Sequence, residues 1–292
     1  MSKSTWNVYE NAIQSFERFR NRFGIENIWS PPIDHLINHI AFLSIKKKGY
    51  SPATAKSYIS GISYKIKINN LEDRTQSCIL KRMLQGMQRL DKKNDSRTPI
   101  TIDILQKIIP ILHMVCSSNY ETHLLSAAFL FAFFGFLRIG EITETGNASD
   151  NHVIKISDIK FEGNNLKVTI QSSKTDQIVN STTLILPKNK CESMCVARQL
   201  KAYLKFRPNI DGQLFCHLNH KKLTRFQFLA ILRSALKFIG LSSDDYNTHS
   251  FRIGAATTAA MLGKNDNEIK SMGRWKSDSF KRYIRMDCLI KI

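Results

Sequence analysis

The segment from Leu124 to Leu137 most constrains what this chain can fold into. It is almost entirely apolar and is rich in Phe and Ala. A helix that is apolar on all sides must be surrounded by other elements of the same domain. Hydrophobic residues make up 42% of the chain, enough to supply that surrounding core. The sequence therefore predicts a domain built around a central, buried helix.

Upstream of this segment, residues 5–92 have the apolar spacing of helices. At Ser51-Pro52 a capping residue precedes a proline in the first helical turn, which predicts a helix start. We predict four helices here, forming an N-terminal domain of residues 1–96. The polar residues 92–99, which end in Pro99, are predicted to link it to a second domain of residues 97–292.

The apolar period changes between residues 153 and 187. Residues 153–156, 166–170 and 183–186 are rich in β-branched side chains and predict short strands, with a hairpin turn at Gly163-Asn164-Asn165. Helices are predicted to resume at 191–206, 225–239, 249–262 and 266–272. The predicted fold class is therefore mainly α with a small antiparallel β-sheet, the second domain being α+β.

The net charge of +19, with a pI near 9.8, is typical of a protein that binds a polyanion. Residues 1–96 carry 16 Lys and Arg against 8 Asp and Glu, and the rest carry 27 against 16. Because the excess lies in both predicted domains, we expect both to contact the same nucleic acid. A basic protein without such a partner, or one bound to a membrane surface, is the less favoured interpretation.

Nothing in the sequence predicts export or membrane insertion. No apolar run reaches the length of a membrane span, and the N-terminus lacks the apolar core of a signal peptide. The six cysteines are scattered along a chain that can form a large core, which favours reduced thiols over disulfides. We therefore expect an intracellular protein with no membrane partner.

Two arginine motifs lie more than a hundred residues apart. In Phe136-Leu-Arg138-Ile-Gly-Glu141, the acidic residue follows the arginine by three positions, which suits an internal ion pair. Taken alone, the motif favours that ion pair; the alternative is an arginine held by Glu141 so that its outer face can bind a phosphate. In His249-Ser-Phe-Arg252, a histidine and an arginine share the start of a helix, where anions are favoured.

Three further residues have ordinary structural explanations when each is taken alone. Lys174 lies in a polar loop after a predicted strand, where a lysine is usually exposed. Trp275 suits a core position. Tyr283 lies in an amphipathic stretch, where a tyrosine is usually half-buried packing.

As an ordered set, these residues resemble the tyrosine recombinase family, also called the lambda-integrase family. The likeness covers nearly the whole chain: residues 1–96 resemble its SAM-like core-binding domain and 97–292 its catalytic domain. The stretches Gly273-Arg-Trp-Lys-Ser-Asp278 and Tyr283-Ile-Arg285 are most similar to recombinases of eukaryotic mobile elements, of the DIRS, Ngaro or Crypton kinds. Many bacterial members have a histidine where Trp275 stands.

The resemblance implies a site-specific recombinase or integrase that cleaves and rejoins DNA through a 3′-phosphotyrosyl intermediate. Tyr283 is then the nucleophile, Lys174 the general acid, and His249 the group that takes the tyrosine proton or binds a phosphoryl oxygen. The guanidinium groups of Arg138 and Arg252 and the indole N–H of Trp275 then bind the phosphoryl oxygens. Glu141 fixes the guanidinium of Arg138.

The resemblance also implies partners and location. It implies double-stranded DNA as the partner, a homotetramer in the synaptic complex, and neither a metal nor another cofactor. The location implied is DNA-associated, and nuclear if the host is eukaryotic.

Two other functions stay open at this point. A DNA-binding protein could keep the fold without catalysis, although every family position is filled here. A type IB topoisomerase-like strand transferase would use similar chemistry, although the helical first domain favours a recombinase.

Two groupings of metal-ligand residue types are the less favoured interpretation. One consists of Cys191, Cys195, Cys216, His217 and His220. Its first two cysteines lie four apart within a predicted helix, unlike common zinc motifs, so we expect buried thiols and surface histidines instead. In the other, His35 and His39 share one helix face. A lone pair of this spacing is expected at the surface rather than at a metal.

Overall fold

A computed structural model describes residues 1, 3–45, 49–91, 97–144, 152–163, 165–171, 181–189 and 191–286. The chain forms two compact units, an N-terminal unit of Met1–Asp95 and a C-terminal unit of Ser96–Ile292. Within the ranges given above, no helix is long and apolar enough to cross a membrane.

The described residues of the N-terminal unit form four α-helices, as predicted: α1 (Lys3–Arg22), α2 (Ile33–Ile45), α3 (Pro52–Ile68) and α4 (Cys78–Leu90). The hydroxyl of Ser51 caps α3 by accepting the N–H of Thr54 at 3.1 Å. Gly61 lets α1 and α3 approach closely, because a Cβ there would lie 2.9 Å from the Cβ of Ala12. The apolar faces meet in one core around Phe16, Leu36, Ile40, Ile62 and Leu80.

His39 lies in this core, and the expectation that it is a surface residue is wrong. Its ring centre is 5.0 Å from that of Phe16 and 5.2 Å from that of Phe19. Burial, together with the charge of the buried Arg20, lowers the pKa of His39 to about 4, so its ring is neutral at pH 7. The spacing from His35 could not reveal this, because the covering side chains come from α1.

The C-terminal unit is built around one buried helix, and this prediction is confirmed. Its elements are α5 (Ile102–Val115), α6 (Asn119–Phe134), α7 (Ile139–Ile142), β1 (Ile159–Glu162), β2 (Asn165–Ile170), β3 (Thr182–Pro187), α8 (Val196–Leu204), α9 (Arg225–Phe238), α10 (Ser250–Met261) and α11 (Asp266–Met272), followed by a 3₁₀ segment, Asp278–Tyr283. Every residue of α6 from Leu124 to Phe133 is buried. The predicted helix is, however, three residues too long, because α6 ends at Phe134 with Gly135 as its cap.

The three strands form one antiparallel sheet in the order β1-β2-β3, so the predicted fold class is confirmed. Glu162 pairs with Asn165, and Leu166 pairs with Leu186. Gly163, with a φ of 54°, begins the predicted hairpin turn between β1 and β2.

The strand predicted at residues 153–156 is wrong, since β1 begins only at Ile159. Val153 and Ile154 are both buried, which consecutive residues of a strand with one solvent face cannot be. The N–H of Lys155 then donates to the Asp158 carboxylate at 2.8 Å and starts a short 3₁₀ turn. The helix predicted from 191 also begins later, at Val196, after a 3₁₀ turn at Glu192–Met194.

Candidate active site

Arg138 lies just before α7, in a turn that follows the buried helix. The turn passes through Phe136, whose φ of 48° is unusual for a residue with a side chain. Glu141 accepts the main-chain N–H of Arg138 at 3.0 Å and its guanidinium Nη1 at 3.2 Å. The pair is therefore a helix cap as well as an ion pair, and it holds Arg138 at the start of α7.

Arg252 lies in the first turn of α10 and is 1% exposed. Its Nη1 donates to the main-chain oxygen of Phe136, and its Nη2 donates to that of Gly273. Burial, and then the charge of Arg138, lowers the pKa of Arg252 to about 9. The guanidinium thus stays charged at neutral pH, and it joins segments that lie 116 and 21 residues away in the chain.

His249 is the residue that immediately precedes α10, and it is half-buried. Its main-chain N–H donates to the side-chain oxygen of Asn247 at 2.8 Å. The N–H of Asn247 in turn donates to the hydroxyl of Ser250 at 3.0 Å. These bonds fix the entry into α10, so His249 and Arg252 are separated by one turn of rigid backbone.

Trp275 and Tyr283 pack against Arg252. The guanidinium carbon of Arg252 is 4.2 Å from the ring centre of Trp275 and 5.7 Å from that of Tyr283. The two ring centres are 5.2 Å apart. Because a guanidinium is attracted to an aromatic face, the rings both orient Arg252 and shield it from water.

The hydroxyl of Thr257 holds the main chain around Tyr283. It donates to the main-chain oxygen of Tyr283 at 3.2 Å and accepts the main-chain N–H of Arg285 at 3.0 Å. Thr257 itself is buried in α10. The 3₁₀ segment that carries Tyr283 is therefore fixed to the helix that carries Arg252.

Arg274 is part of this cluster, and the sequence interpretation missed it. Its Nη2 lies 3.0 Å from the second carboxylate oxygen of Glu141 and 3.3 Å from the main-chain oxygen of Phe136. The side chain is 12% exposed. The only trace in the sequence is the Gly273-Arg-Trp275 stretch, which carries no sign of a partner 133 residues away.

The contacts above bring together five of the residues singled out from the sequence: Arg138, Glu141, Arg252, Trp275 and Tyr283. His249 lies one helical turn from them. Lys174 lies outside the residues that the structure describes.

The described ranges contain no group of three or more His, Cys, Asp or Glu side chains that could hold a metal ion. In the zinc set considered from the sequence, Cys195 and Cys216 are buried, whereas Cys191 is exposed. That set therefore does not form a site among these residues.

No protein-family model matches the chain, and no curated protein matches it. Solved structures do match, and they show that the chain has the fold of site-specific tyrosine recombinases. One is the XerH site-specific recombinase bound to palindromic difH substrate in a post-cleavage complex. It is 18% identical, has a TM-score of 0.69, and the match covers 95% of this chain and 74% of that one.

Two further structures support the same fold. The Tn1549 transposon integrase in complex with transposon right end DNA is 15% identical, with a TM-score of 0.67, over 99% of this chain and 92% of that one. A lambda integrase dimer bound to a core site is 16% identical, with a TM-score of 0.62, over 98% of this chain and 72% of that one. The predicted resemblance is therefore confirmed at the level of the fold.

Proposed function

We propose that the chain is a site-specific DNA recombinase or integrase that breaks and rejoins DNA strands through a bond between Tyr283 and a 3′-phosphate. The observation that carries the proposal is the convergence of two guanidinium groups, from Arg138 and Arg252, on a site where Arg252 lies against Tyr283. A tyrosine nucleophile beside fixed cations is what a phosphodiester exchange without a metal requires.

In the proposed reaction, the phenolic oxygen of Tyr283 attacks the scissile phosphorus. The bond to the 5′-oxygen breaks, and the phosphoryl group passes to the tyrosine. A 5′-hydroxyl is released and later attacks a phosphotyrosyl bond to restore a phosphodiester. Because each bond broken is replaced by one of similar energy, no nucleotide is consumed.

The arginines act on the charge that develops at phosphorus. Arg138 and Arg252 neutralise the non-bridging oxygens, and their N–H groups are fixed before substrate binds. Glu141 holds the first guanidinium from behind, and Trp275 holds the second across its ring face. Fixed donors of this kind stabilise the transition state more than the ground state, because they need no reorganisation.

Two proton transfers complete the proposed reaction. His249 takes the proton of Tyr283 or binds a phosphoryl oxygen. Lys174, which follows β2 in the sequence, gives a proton to the leaving 5′-oxygen. These two roles rest on the resemblance and on the position of His249 at the start of α10.

Double-stranded DNA is the proposed partner, bound by both units, with a homotetramer in the synaptic complex. The net charge of +19 supports the first point. The homotetramer rests on the resemblance; the lambda integrase, solved as a dimer on its core site, supports only the assembly of more than one copy on DNA.

We propose further that the chain comes from a eukaryotic mobile element and acts in the nucleus. The support is the sequence from Gly273 to Asp278, with Trp275 in place of a histidine. The Tn1549 integrase, from a transposon, is in keeping with a mobile element of some kind.

Trapping of the covalent intermediate tests the proposed activity. The substrate is a pool of DNA duplexes with a randomised centre, nicked at successive positions so that a released fragment cannot rejoin. We expect a protein–DNA adduct that survives detergent. Mass spectrometry of the digested adduct should find the nucleotide on Tyr283. Tyr283→Phe should abolish the adduct while leaving DNA affinity within about two-fold, since only the nucleophilic oxygen is removed.

Tyr64→Phe, in the N-terminal unit, is the matched control and should keep the adduct. An adduct that persists in Tyr283→Phe would overturn the nucleophile. DNA binding without any adduct in the wild-type chain would favour a DNA-binding protein that lacks catalysis. Relaxation of plasmids without specific sites would favour a topoisomerase-like enzyme.

A further inference from the structure

Arg274 occupies a backbone position that normally belongs to glycine. The N–H of Trp275 donates to the Lys270 oxygen at 2.9 Å, and the N–H of Arg274 donates to the Ser271 oxygen at 3.0 Å. This pair of bonds ends α11 in a Schellman motif, whose left-handed residue is usually glycine. Arg274 takes that position with a φ of 56°, at a cost of about 1 kcal/mol that glycine avoids.

The neighbouring Gly273 has a different reason for being glycine. A Cβ at Gly273 would lie 1.6 Å from a ring carbon of Trp275, so this position must stay bare for the ring to pack. The motif therefore places glycine beside the left-handed position and an arginine in it. A side chain kept at a backbone cost indicates that the side chain itself is needed.

The guanidinium of Arg274 binds the segment that carries Arg138. It bonds both Glu141 and the Phe136 oxygen, and the Phe136 oxygen also accepts a bond from Arg252. Arg274 thus contacts the acceptors that orient both arginines of the proposed phosphate site. Arg138 and Arg274 pair with the single carboxylate of Glu141, and the charge of Arg252 also lies within its electrostatic range. The three cations leave an excess of positive charge, which a bound phosphate would offset.

We propose that Arg274 is a positioning residue for phosphoryl transfer, which rests on the function proposed above. It holds the turn from Phe136 to Glu141 against the residues that precede Tyr283. The guanidinium groups of Arg138 and Arg252 are thereby set in place before DNA binds. The residue acts through these two arginines and does not itself bind the reacting phosphate.

The surface beside Arg274 is open, so the role of its guanidinium can be tested by chemical rescue. Arg274 lines an open cleft of about 630 Å³, together with Phe136, Met272 and residues of β3. Replacement by glycine removes the guanidinium and suits the left-handed backbone, so the change leaves space without adding strain. A free guanidinium ion in solution can enter from the cleft and take the vacated place.

The test compares the wild-type chain with Arg274→Gly in single-turnover adduct formation on the duplex pool. We expect the rate to fall about 100-fold, as misplaced catalytic groups typically cause, and DNA affinity to change less than about three-fold. Guanidinium chloride, at a concentration far below denaturing levels, should raise the rate of Arg274→Gly about ten-fold. Sodium chloride at equal ionic strength should not.

His220→Gly is the matched control, because His220 is also left-handed, with a φ of 66°, and lies outside the cluster. It should keep the wild-type rate and gain nothing from guanidinium. Arg274→Gly with an unchanged rate would overturn the inference. The inference would also be overturned if the rate fell only in proportion to DNA affinity and guanidinium did not restore it, since that result indicates a general structural defect. A wild-type chain without any adduct would instead overturn the proposed function itself.

Discussion

Arg252 is buried and yet keeps its charge, and its surroundings explain how. Two main-chain oxygens accept bonds from its terminal nitrogens, and the rings of Trp275 and Tyr283 cover its planar group. A planar, forked cation suits this environment, whereas a lysine ammonium is a compact point charge that is more strongly hydrated and therefore costs more to bury. The site therefore depends on arginine itself and not only on a positive charge.

Arg252→Lys tests this dependence. The ammonium cannot reach the oxygens of Phe136 and Gly273 together, so we expect adduct formation to fall by about two to three decades. Arg138→Lys is the comparison, because Arg138 is more exposed, at 26%, and should tolerate lysine better. Equal losses in single-turnover rates of the two variants would contradict the expectation.

His39 predicts how stability depends on pH. The unfolded chain binds a proton at His39 below pH 6.5, whereas burial delays this in the folded chain until about pH 4. The stabilising contribution is complete above pH 6.5 and is lost as pH falls from 6.5 to 4, by about 3 kcal/mol in all. In urea unfolding, His39→Phe should show a smaller loss of stability between pH 7 and 4.5. A pH dependence equal to that of the wild type would count against this.

At the scale of elements, the sequence predicted the helices and the sheet because their apolar periods are strong. It failed where tertiary contacts decide the structure. Residues 153–156 have strand composition, but both Val153 and Ile154 are buried, and the chain turns at Asp158 instead. The end of α6 was missed because the apolar run continues to Leu137, although the helix stops at Gly135.

The same distinction applies to the site. The arginine motifs were visible because the spacing within each is local, as in Arg138 and Glu141. Arg274 was not, because its partner lies in a different segment and its left-handed backbone leaves no mark in the sequence. Local spacing can thus predict the parts of the site, but not the bonds that join them.

The packing of α10 supplies a prediction about stability. A Cβ at Gly254 would lie 1.7 Å from the main-chain oxygen of Ile100. The N–H of Ile100 donates to the main-chain oxygen of Ser250 at 2.9 Å, which holds this segment against α10. Because a backbone atom cannot give way, Gly254→Ala should lower the free energy of unfolding by about 3 kcal/mol in urea titration. Gly86→Ala, in α4 with open space around it, should instead raise it by about 0.5 to 1 kcal/mol. A stability unchanged in both would contradict the packing.

At the scale of the whole molecule, the positive charge is spread over both units rather than gathered in a tail. Residues 1–96 and the remainder each carry more than one and a half times as many basic as acidic residues. Basic residues in both units attract a polyanion, which releases counterions when it binds. The sequence alone establishes this distribution of charge, because it depends on residue counts and not on folding.

We therefore expect the affinity for duplex DNA to be strongly salt-dependent. Between 50 and 200 mM salt, the dissociation constant should rise about a thousand-fold, as it does for proteins with at least six phosphate contacts. Fluorescence anisotropy with a labelled duplex measures it. A change below about ten-fold would indicate that few phosphates are bound and that the charge has another use.

Both acceptors of Arg252 are peptide oxygens, at Phe136 and Gly273, and this affects how the chain can vary. A substitution alters a side chain and leaves the peptide oxygen in place. Position 136 can therefore change without removing the acceptor, provided that the turn keeps its shape. Position 273 is restricted by the space that Trp275 occupies and not by the bond it makes. The orientation of Arg252 is thus set by main-chain acceptors, which a single side-chain substitution does not remove.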